Sequence, residues 1–337
     1  MRTHGIIATL TAGLLLVSCT HKELCLNHHH TARVRIETDW TDFTVEKPTG
    51  MSVHIYGEDG GEVRSTLSNN TSYVDVELEP GRYDALVFNQ SPSEFGTIKF
   101  ENLDNRALAA VRNEYITRLW FKSDADEQVL QEPEWLGTEV SHGLEVNREM
   151  MEASPQIRST KSADFPQSNV IATLVPQNII YTITVTVRIN GIHNLKAARA
   201  SLSGLASGYL LGEGHVMAET GIQLLEEWTM TRDEKDPTKG TISATITSFG
   251  LPYGHKGNAQ DNVLQLSLLL NDNKTKLDYV FPSGDSFVKD KDNALVLTLY
   301  KEIGGVLPDV KPVDGSAGGF DAKVDDWGDE EIIDIPV

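Results

Sequence analysis

The stretch from Ile179 to Ile189 limits what this chain can fold into more than any other part of the sequence. Apolar side chains stand at every second position, namely Ile179, Tyr181, Ile183, Val185, Val187 and Ile189. Polar residues fill the positions between them, among them Thr182, Thr184 and Thr186. Successive side chains of a strand point to opposite faces, so this alternation predicts a β-strand with one buried face. We therefore expect Ile183 to lie in a core and Thr184 to lie on the outer face of a sheet.

Shorter segments with the same alternation occur along both halves of the chain. Predicted strands cover residues 32–40, 51–55, 63–67, 74–78, 82–89, 200–211, 241–249, 263–270, 276–281 and 295–300. Turn-forming sequences separate them at 57–61, 69–70, 79–81 and 271–274. Residues 82–89 are apolar on both faces, which predicts a strand covered on both sides. Two blocks of short strands predict an all-β protein with one or two short helices, built as two tandem β-sandwich domains.

One segment of the first half departs from this pattern. Residues 104–115 contain helix formers, with Leu103, Ala107, Leu108, Val111 and Tyr115 at helical spacing, which predicts one crossover helix. Residues 116–121 are then expected to return to a strand. On that basis Trp40 and Trp120 lie on apolar strand faces, which favours the core over a sugar-binding surface.

The domain boundaries follow from changes in composition. We expect a signal peptide at 1–18, a tether at 19–30, an N-terminal sandwich at 31–151 and a linker at 152–168 with prolines at 155 and 166. A C-terminal sandwich then covers 169–303, and a tail covers 304–337. The tail combines glycines at 315, 318 and 319 with apolar residues such as Phe320 and Trp327. We expect such a tail to pack against its own chain as a last strand. The alternative is that it pairs with a neighbouring molecule.

The N-terminus has the pattern of an export signal. Arg2 precedes an uncharged run from Gly5 to Val17, which is shorter than the roughly 20 residues that a membrane-spanning helix needs. Leu16-Val17-Ser18-Cys19 resembles the bacterial lipobox, which implies cleavage before Cys19 and attachment of acyl chains such as palmitate to its thiol. The alternative is a plain secretory signal followed by a chance cysteine. If Cys19 is acylated, Cys25 has no partner, because these are the two cysteines of the chain.

The charge and the motifs exclude several classes of function. A net charge of −20 argues against binding to nucleic acid, and no cofactor, metal or catalytic site is expected. Three adjacent histidines, His28 to His30, would alternate between the faces of a strand, so we interpret them as solvated rather than as metal ligands. The acidic stretches near 290 and 325 lack the spacing of a calcium loop, although weak calcium binding stays open. Gly284-Asp285-Ser286-Phe287 lacks the helix that follows a hydrolase nucleophile, and the glycosylation sequon at Asn69 fits a turn.

Several motifs resemble a Bacteroidales lipoprotein family of unknown function. They are Cys19 to Cys25, His28 to Thr31 leading into Val34-Arg35, Met51 to Tyr56, Asp59 to Gly61, and Pro80 to Tyr83 with Phe88-Asn89. Residues 203–206 and the tail around Trp327 are similar to fimbrillin-like and fimbrium-anchor proteins, whose two domains are transthyretin-like or immunoglobulin-like β-sandwiches.

The resemblance implies a function without catalysis. It implies an outer-membrane protein, lipid-anchored through Cys19 and exposed at the cell surface, with a structural or adhesive role. Its partners would be the membrane and proteins such as fimbrial subunits, with no nucleic acid and no cofactor. The first sandwich would lie near the membrane, and the second, with the tail, would present itself to the partner. The alternative is a surface carbohydrate-binding lipoprotein, which would need exposed aromatic side chains in a row on one face.

Overall fold

A computed structural model describes residues 31–121, 127–153 and 168–313 of the chain. The predicted signal peptide, the tether with Cys19, Cys25 and His28 to His30, and residues 314–337 of the tail lie outside the described residues. So does nearly all of the predicted linker at 152–168.

The described chain is nearly all β, which confirms the predicted fold class. The strands of the first half are β1 (Ala32–Thr38), β2 (Met51–Tyr56), β3 (Glu62–Ser68), β4 (Tyr73–Leu78), β5 (Gly81–Asn89), β6 (Ile98–Glu101), β7 (Ala110–Asn113), β8 (Gly137–Val146), β9 (Asn169–Leu174) and β10 (Gln177–Asn178). One short helix, α1 (Arg148–Ala153), follows β8. Short 3-10 turns lie at Pro92–Glu94, Ile192–Asn194 and Ala259–Asp261.

The strands of the second half begin with the long predicted one. They are β11 (Tyr181–Asn190), β12 (Leu195–Ala206), β13 (Gly208–Leu210), β14 (His215–Val216), β15 (Thr220–Leu225), β16 (Thr229–Arg232), β17 (Lys239–Ser248), β18 (Val263–Leu270), β19 (Lys276–Pro282), β20 (Phe287–Lys289) and β21 (Val296–Glu302).

The N-terminal sandwich packs a three-stranded sheet against a five-stranded one. The strand orders are β4-β1-β9 and β10-β8-β5-β2-β3. Val34 and Ile36 from one sheet and Val53 and Val87 from the other are fully buried between them in the first core. Burial of this apolar area provides the main stabilisation, at about 25 cal/mol per Å² removed from water.

Strand β5 has both faces covered, as the sequence predicts. Ala85 and Val87 face the first core, whereas Leu86 and Phe88 belong to a separate apolar cluster on the other side of the sheet. We call that separate cluster the third core, because a second core lies within the C-terminal sandwich. The third core also contains Ala206 and Phe249 from the second half of the chain. The two halves therefore share buried apolar surface.

The C-terminal sandwich packs the sheet β16-β17-β11-β21-β20 against the sheet β15-β12-β18-β19. Ile183, Val185, Val187 and Ile189 of β11 are fully buried in the second core between these sheets. The threonines between them are only half-buried, so the predicted register is confirmed. Strand β11 lies in the middle of its sheet, antiparallel to β17 and parallel to β21.

A small sheet of order β14-β13-β7-β6 combines strands from both halves of the chain. Strand β7 of the first half pairs with β13 of the second, with Val111 opposite Tyr209. Strands β9 and β10 pair with β1 and β8, so residues 169–178 join the sheets of the N-terminal sandwich, although our boundary assigned them to the C-terminal one.

The predicted helix at 104–115 is wrong. Residues 103–104 and 106–108 form turns, Asn105 forms an isolated β-bridge with Gly61, and Ala110–Asn113 form strand β7. Val111 is fully buried, but Leu108 and Tyr115 are exposed, so the apolar residues do not share the single face that a helix would require. Pairing of β7 with β6 and with the distant β13 outweighs the local helical preference.

The strand predicted at 116–121 is also wrong, because no strand is formed there. Leu119 is 98% exposed, which leaves the segment without the buried face of a strand. Trp120 is half-buried and lies under the guanidinium of Arg199, whose Cζ is 4.5 Å from the ring centroid. Its indole N–H donates a hydrogen bond of 2.7 Å to Glu226.

Trp40 follows β1, which ends at Thr38, and packs half-buried against the first core. Its indole N–H donates to the carbonyl oxygen of Thr71 at 2.8 Å. The prediction of a core position therefore holds for Trp40 only in part. The residue packs at the edge of the first core, but it lies after the end of the strand.

Candidate interaction surface

Strand β3 forms an open edge of the five-stranded sheet. It pairs with β2 on one side, and within the described ranges no strand pairs with its other side. Its sequence, Glu62 to Ser68, contains one acidic and one basic residue and no proline. Val63 and Leu67 are 53% and 60% exposed. An edge of this kind offers unpaired backbone N–H and C=O groups to a strand from another chain.

Turns at both ends hold this edge in place. Gly60 has a φ of +80°, which suits glycine, and the N–H of Gly57 donates to the carbonyl oxygen of Gly61 at 2.9 Å. At the far end, the Ser68 hydroxyl donates to the carbonyl oxygen of Asn70 at 3.0 Å, and the Ser72 N–H donates to the side chain of Asn70. The edge is therefore ordered before any partner arrives, which lowers the entropic cost of binding.

A side-chain hydrogen bond fixes the first residue of the strand. Nδ1 of His54, a buried residue of β2, lies 2.5 Å from a carboxylate oxygen of Glu62. The backbone N–H of Glu62 also donates to the carbonyl oxygen of Asp104 at 2.8 Å, so the edge is covered at this end. Burial, together with the charge of Glu62, raises the pKa of Tyr56, whose hydroxyl donates to the carbonyl oxygen of Leu103. The open part of the edge is thus residues 63–68.

The C-terminal sandwich has a second flank, formed by the edge strands β19 and β20. Val280 and Val288 are 58% and 63% exposed on these two strands. Strand β20 has only three residues, and β19 ends at Pro282, which has no N–H to donate. On this flank β20 therefore offers a shorter edge than β3, whereas β19 equals β3 in length but has a residue without an N–H at its end.

Exposed aromatic side chains do not line up in the part of the chain that the structure describes. The large exposed ones are Tyr73, Tyr115, Tyr253 and Tyr300, and they belong to four different elements or loops. Trp228 is buried, and Trp135 is half-buried beside the third core. A carbohydrate-binding module stacks sugars on aromatic rings that share one face, and this arrangement does not provide such a face.

Ser286 of the weak nucleophile-like sequence takes part in local turn contacts. The Lys301 ammonium donates to the Ser286 hydroxyl at 2.9 Å and to the carbonyl oxygen of Pro282 at 2.8 Å. The Ser286 hydroxyl in turn bonds to Asp285. Burial lowers the pKa of Lys301. These contacts tie the β19–β20 connection to β21, which accounts for them without a catalytic role.

The remaining sequence-predicted sites have little structural counterpart. Across residues 31–121, 127–153 and 168–313, no group of three or more His, Cys, Asp or Glu side chains could hold a metal ion. In the same ranges, no helix is long and apolar enough to cross a membrane. The predicted lipidation residue Cys19 lies outside them. Asn69 is exposed in the turn that follows β3.

The edge position of β3 could not be found from the sequence. Val63, Ser65 and Leu67 alternate like any half-buried strand, which predicts a strand but not its place in the sheet. Edge status depends on which strands pair, and the one local signal is the balanced charge of Glu62 and Arg64 in a strand without proline.

Comparisons with known proteins agree with this architecture. The chain is 21% identical to a candidate fimbrium anchoring subunit, Fim4B, from Bacteroides ovatus, over 99% of this chain and 98% of that protein. Its fold is similar to the crystal structure of a candidate adhesin from Bacteroides ovatus, with a TM-score of 0.53 and 16% identity over 79% of this chain and 87% of the other. A fainter similarity, with a TM-score of 0.46 and 14% identity, relates 80% of the chain to 90% of the fimbrial anchor protein Mfa2 from Porphyromonas gingivalis.

A family model matches more than half of the sequence, and it starts just before Cys19. It covers the whole N-terminal sandwich, the small sheet β14-β13-β7-β6 and the first strands of the C-terminal sandwich. Because residues 18–226 match the model of the domain of unknown function DUF5119, the chain belongs to the DUF5119 family.

Proposed function

We propose that this protein is a lipid-anchored component of the cell envelope that holds a fimbrial or adhesive protein subunit by protein–protein contact, and that it is not an enzyme. The observation that carries the proposal is the match to the candidate fimbrium anchoring subunit, which extends over 99% of the chain. Both sandwiches and the N-terminal segment fall within that match, which supports the same layout in the two proteins.

The contact itself is proposed to form by strand addition at β3. A partner segment that pairs with residues 63–68 would gain backbone hydrogen bonds along the sheet edge. Val63 and Leu67 would lose exposed apolar surface on binding, which adds a hydrophobic contribution at about 25 cal/mol per Å². The charge of −20 favours a partner whose contacting segment is neutral or basic.

Attachment to the outer membrane is proposed to depend on acylation of Cys19. One acyl chain gives only marginal membrane binding, whereas two or three make attachment stable. In a Cys19→Ala variant, the protein should move from the membrane fraction to the soluble fraction. This anchor would be ruled out if the Cys19→Ala variant stayed in the membrane fraction and the wild-type chain carried no lipid.

Crosslinking in the native envelope tests the proposed contact. A photoreactive residue at position 65 of β3 should capture a fimbrial or adhesive subunit. Leu67→Lys should abolish the capture, because it places an ammonium at the contact. Val306→Lys is the matched control, since Val306 is 72% exposed and lies outside the strands.

Two outcomes would count against the proposal. Equal capture in the Leu67→Lys and Val306→Lys variants would show that β3 is not the contact. Capture from position 288 on β20 instead of position 65 would move the contact to the C-terminal flank, on the domain that the family resemblance implies as the presenting end.

A further inference from the structure

Two apolar residues on the outer face of the sheet β15-β12-β18-β19 are buried, although the second core lies against the other face of this sheet. Ala198 and Leu268 point into the second core, so their neighbours Ala197 and Leu269 point outward. Leu269 is nevertheless 0% exposed and Ala197 only 5%, and the two form a cluster of their own. A leucine on the outer face of a sheet becomes fully buried only when another segment covers it.

A lysine lies beside these two residues. Lys276 of β19 is directly opposite Leu269, so Ala197, Leu269 and Lys276 stand side by side across three strands, and we call these three residues the outer patch. The ammonium nitrogen of Lys276 is buried, and none of the described residues accepts a hydrogen bond from it. A buried ammonium without a partner costs several kcal/mol, so a carboxylate is the expected neighbour. Lys196 adds a second positive charge next to Ala197.

The described chain ends close to the outer patch. Leu307 is buried at the end of the C-terminal sandwich, and its N–H donates to the carbonyl oxygen of Asn190 at 2.8 Å. Val310 packs against the second core. The N–H of Val313 then donates to the carbonyl oxygen of Asn271, the residue that follows β18. Residues 314–337 therefore continue from the end of the sheet at which Leu269 lies.

Residues 314–337 have the charge and the apolar residues that the outer patch requires. They contain acidic residues at 314, 321, 325, 326, 329, 330, 331 and 334, and a single basic residue, Lys323. Phe320, Val324 and Trp327 and three isoleucines stand among them. At roughly 3.3 Å per extended residue the segment is about 80 Å long, far more than the length of β18.

We propose that residues 314–337 dock on the outer patch of their own chain, with an acidic side chain paired to Lys276 and apolar side chains covering Ala197 and Leu269. The docked segment would lie against the outer face next to the edge strand β19. This inference does not depend on the proposed function, because it concerns one chain alone and its tests use no partner.

Chemical labelling of amines provides the first test. In the full chain, Lys276 should react slowly with an acetylating reagent. In a chain that ends at Val313 its labelling should become about tenfold faster or more, because the cover is gone. Lys289, which is exposed on β20, is the internal control and should react equally in both chains. Equal labelling of Lys276 in both chains would overturn the proposal, since another segment would then cover the outer patch.

Amide hydrogen exchange on the full chain is the second test. It is sufficient to test the proposal even if the shortened chain does not fold. Amides within 314–337 should exchange slowly in the wild type. They should exchange about tenfold faster or more in Lys276→Glu but not in Lys289→Glu. Fast exchange in the wild type would overturn the proposal. Protection that disappears on dilution would also overturn it, because the segment would then dock on a second copy.

Discussion

Arg35 donates two hydrogen bonds to Asp75, from Nε to Oδ1 at 2.8 Å and from Nη2 to Oδ2 at 3.1 Å. The two residues lie directly opposite each other on β1 and β4. Arg33 adds a third hydrogen bond at 3.1 Å, and the guanidinium of Arg35 lies 3.7 Å from the ring centroid of Tyr73. Hydrogen bonding from Arg35 holds the pKa of the Asp75 carboxyl below its ordinary value. These contacts attach the edge strand β4 to the centre of its sheet.

Replacement of this carboxylate should make the stability depend less on pH. The pKa of Asp75 is lower in the folded chain than in the unfolded chain, so its stabilisation is present above about pH 3.9 and is lost as the pH falls through the folded-state pKa. Asp75→Asn should therefore lower the free energy of unfolding by about 1–2 kcal/mol at pH 7 and by less near pH 3. Urea unfolding at both pH values measures this difference.

Glu77→Gln is the control for this experiment, because Glu77 is exposed on the same strand. It should change the free energy of unfolding by no more than about 0.5 kcal/mol at either pH. A loss in Asp75→Asn that is the same at both pH values would contradict the electrostatic explanation.

Two neighbouring positions on β11 should differ strongly in their effect on stability. Ile183 is fully buried in the second core, so Ile183→Ala should cost about 2–5 kcal/mol through lost transfer energy and a cavity. The Thr184 hydroxyl bonds to that of Thr245 at 3.1 Å on the outer face, so Thr184→Ala should stay within about 0.5 kcal/mol. Thermal and urea unfolding measure both variants, and equal losses would show that the outer face is also covered.

The alternating strands could be predicted because burial on one face is recorded in the local sequence. In β1, Val34 and Ile36 are fully buried, whereas Arg33 and Arg35 between them are not. Strand β5 shows that even two covered faces leave a local signal, since every residue from Ala85 to Asn89 is buried.

Pairings between distant segments left no such signal. Arg112 lies opposite Gly208 because β7 and β13 pair across the two halves, and no local periodicity reports this. The third core has no local signal for the same reason, since Phe88 and Phe249 come from different halves of the chain and share a core only in the folded protein. The open edge at β3 is likewise a property of the topology.

Limited proteolysis tests the predicted linker. Cleavage should occur first within residues 152–168, whose composition is polar and rich in turn formers. The two fragments should nevertheless elute together from a size-exclusion column, because β9 and β10 follow the cut but pair with β1 and β8 before it. First cleavage elsewhere would contradict the linker, and separation of the fragments without denaturant would contradict these pairings.

Gly208 is a position at which a single methyl group should weaken the junction between the halves. A Cβ atom there would lie 2.2 Å from the carbonyl oxygen of Val111 and 3.0 Å from the Cα of Arg112, so β7 and β13 could pair only after a backbone shift. Overpacking of this kind typically costs about 1–3 kcal/mol. Gly208→Ala should therefore lower the melting temperature. Its two proteolytic fragments should still elute together, because β9 and β10 keep their pairings with β1 and β8.

Gly96→Ala is the matched control, because a Cβ atom at Gly96 meets nothing within 4 Å. The N–H of Gly96 donates to Glu134 at 2.8 Å, and alanine keeps that donor. Its melting temperature and elution should match those of the wild type. If Gly208→Ala has the melting temperature of this control, β7–β13 pairing adds little to stability, and the third core and the pairings of β9 and β10 hold the halves together.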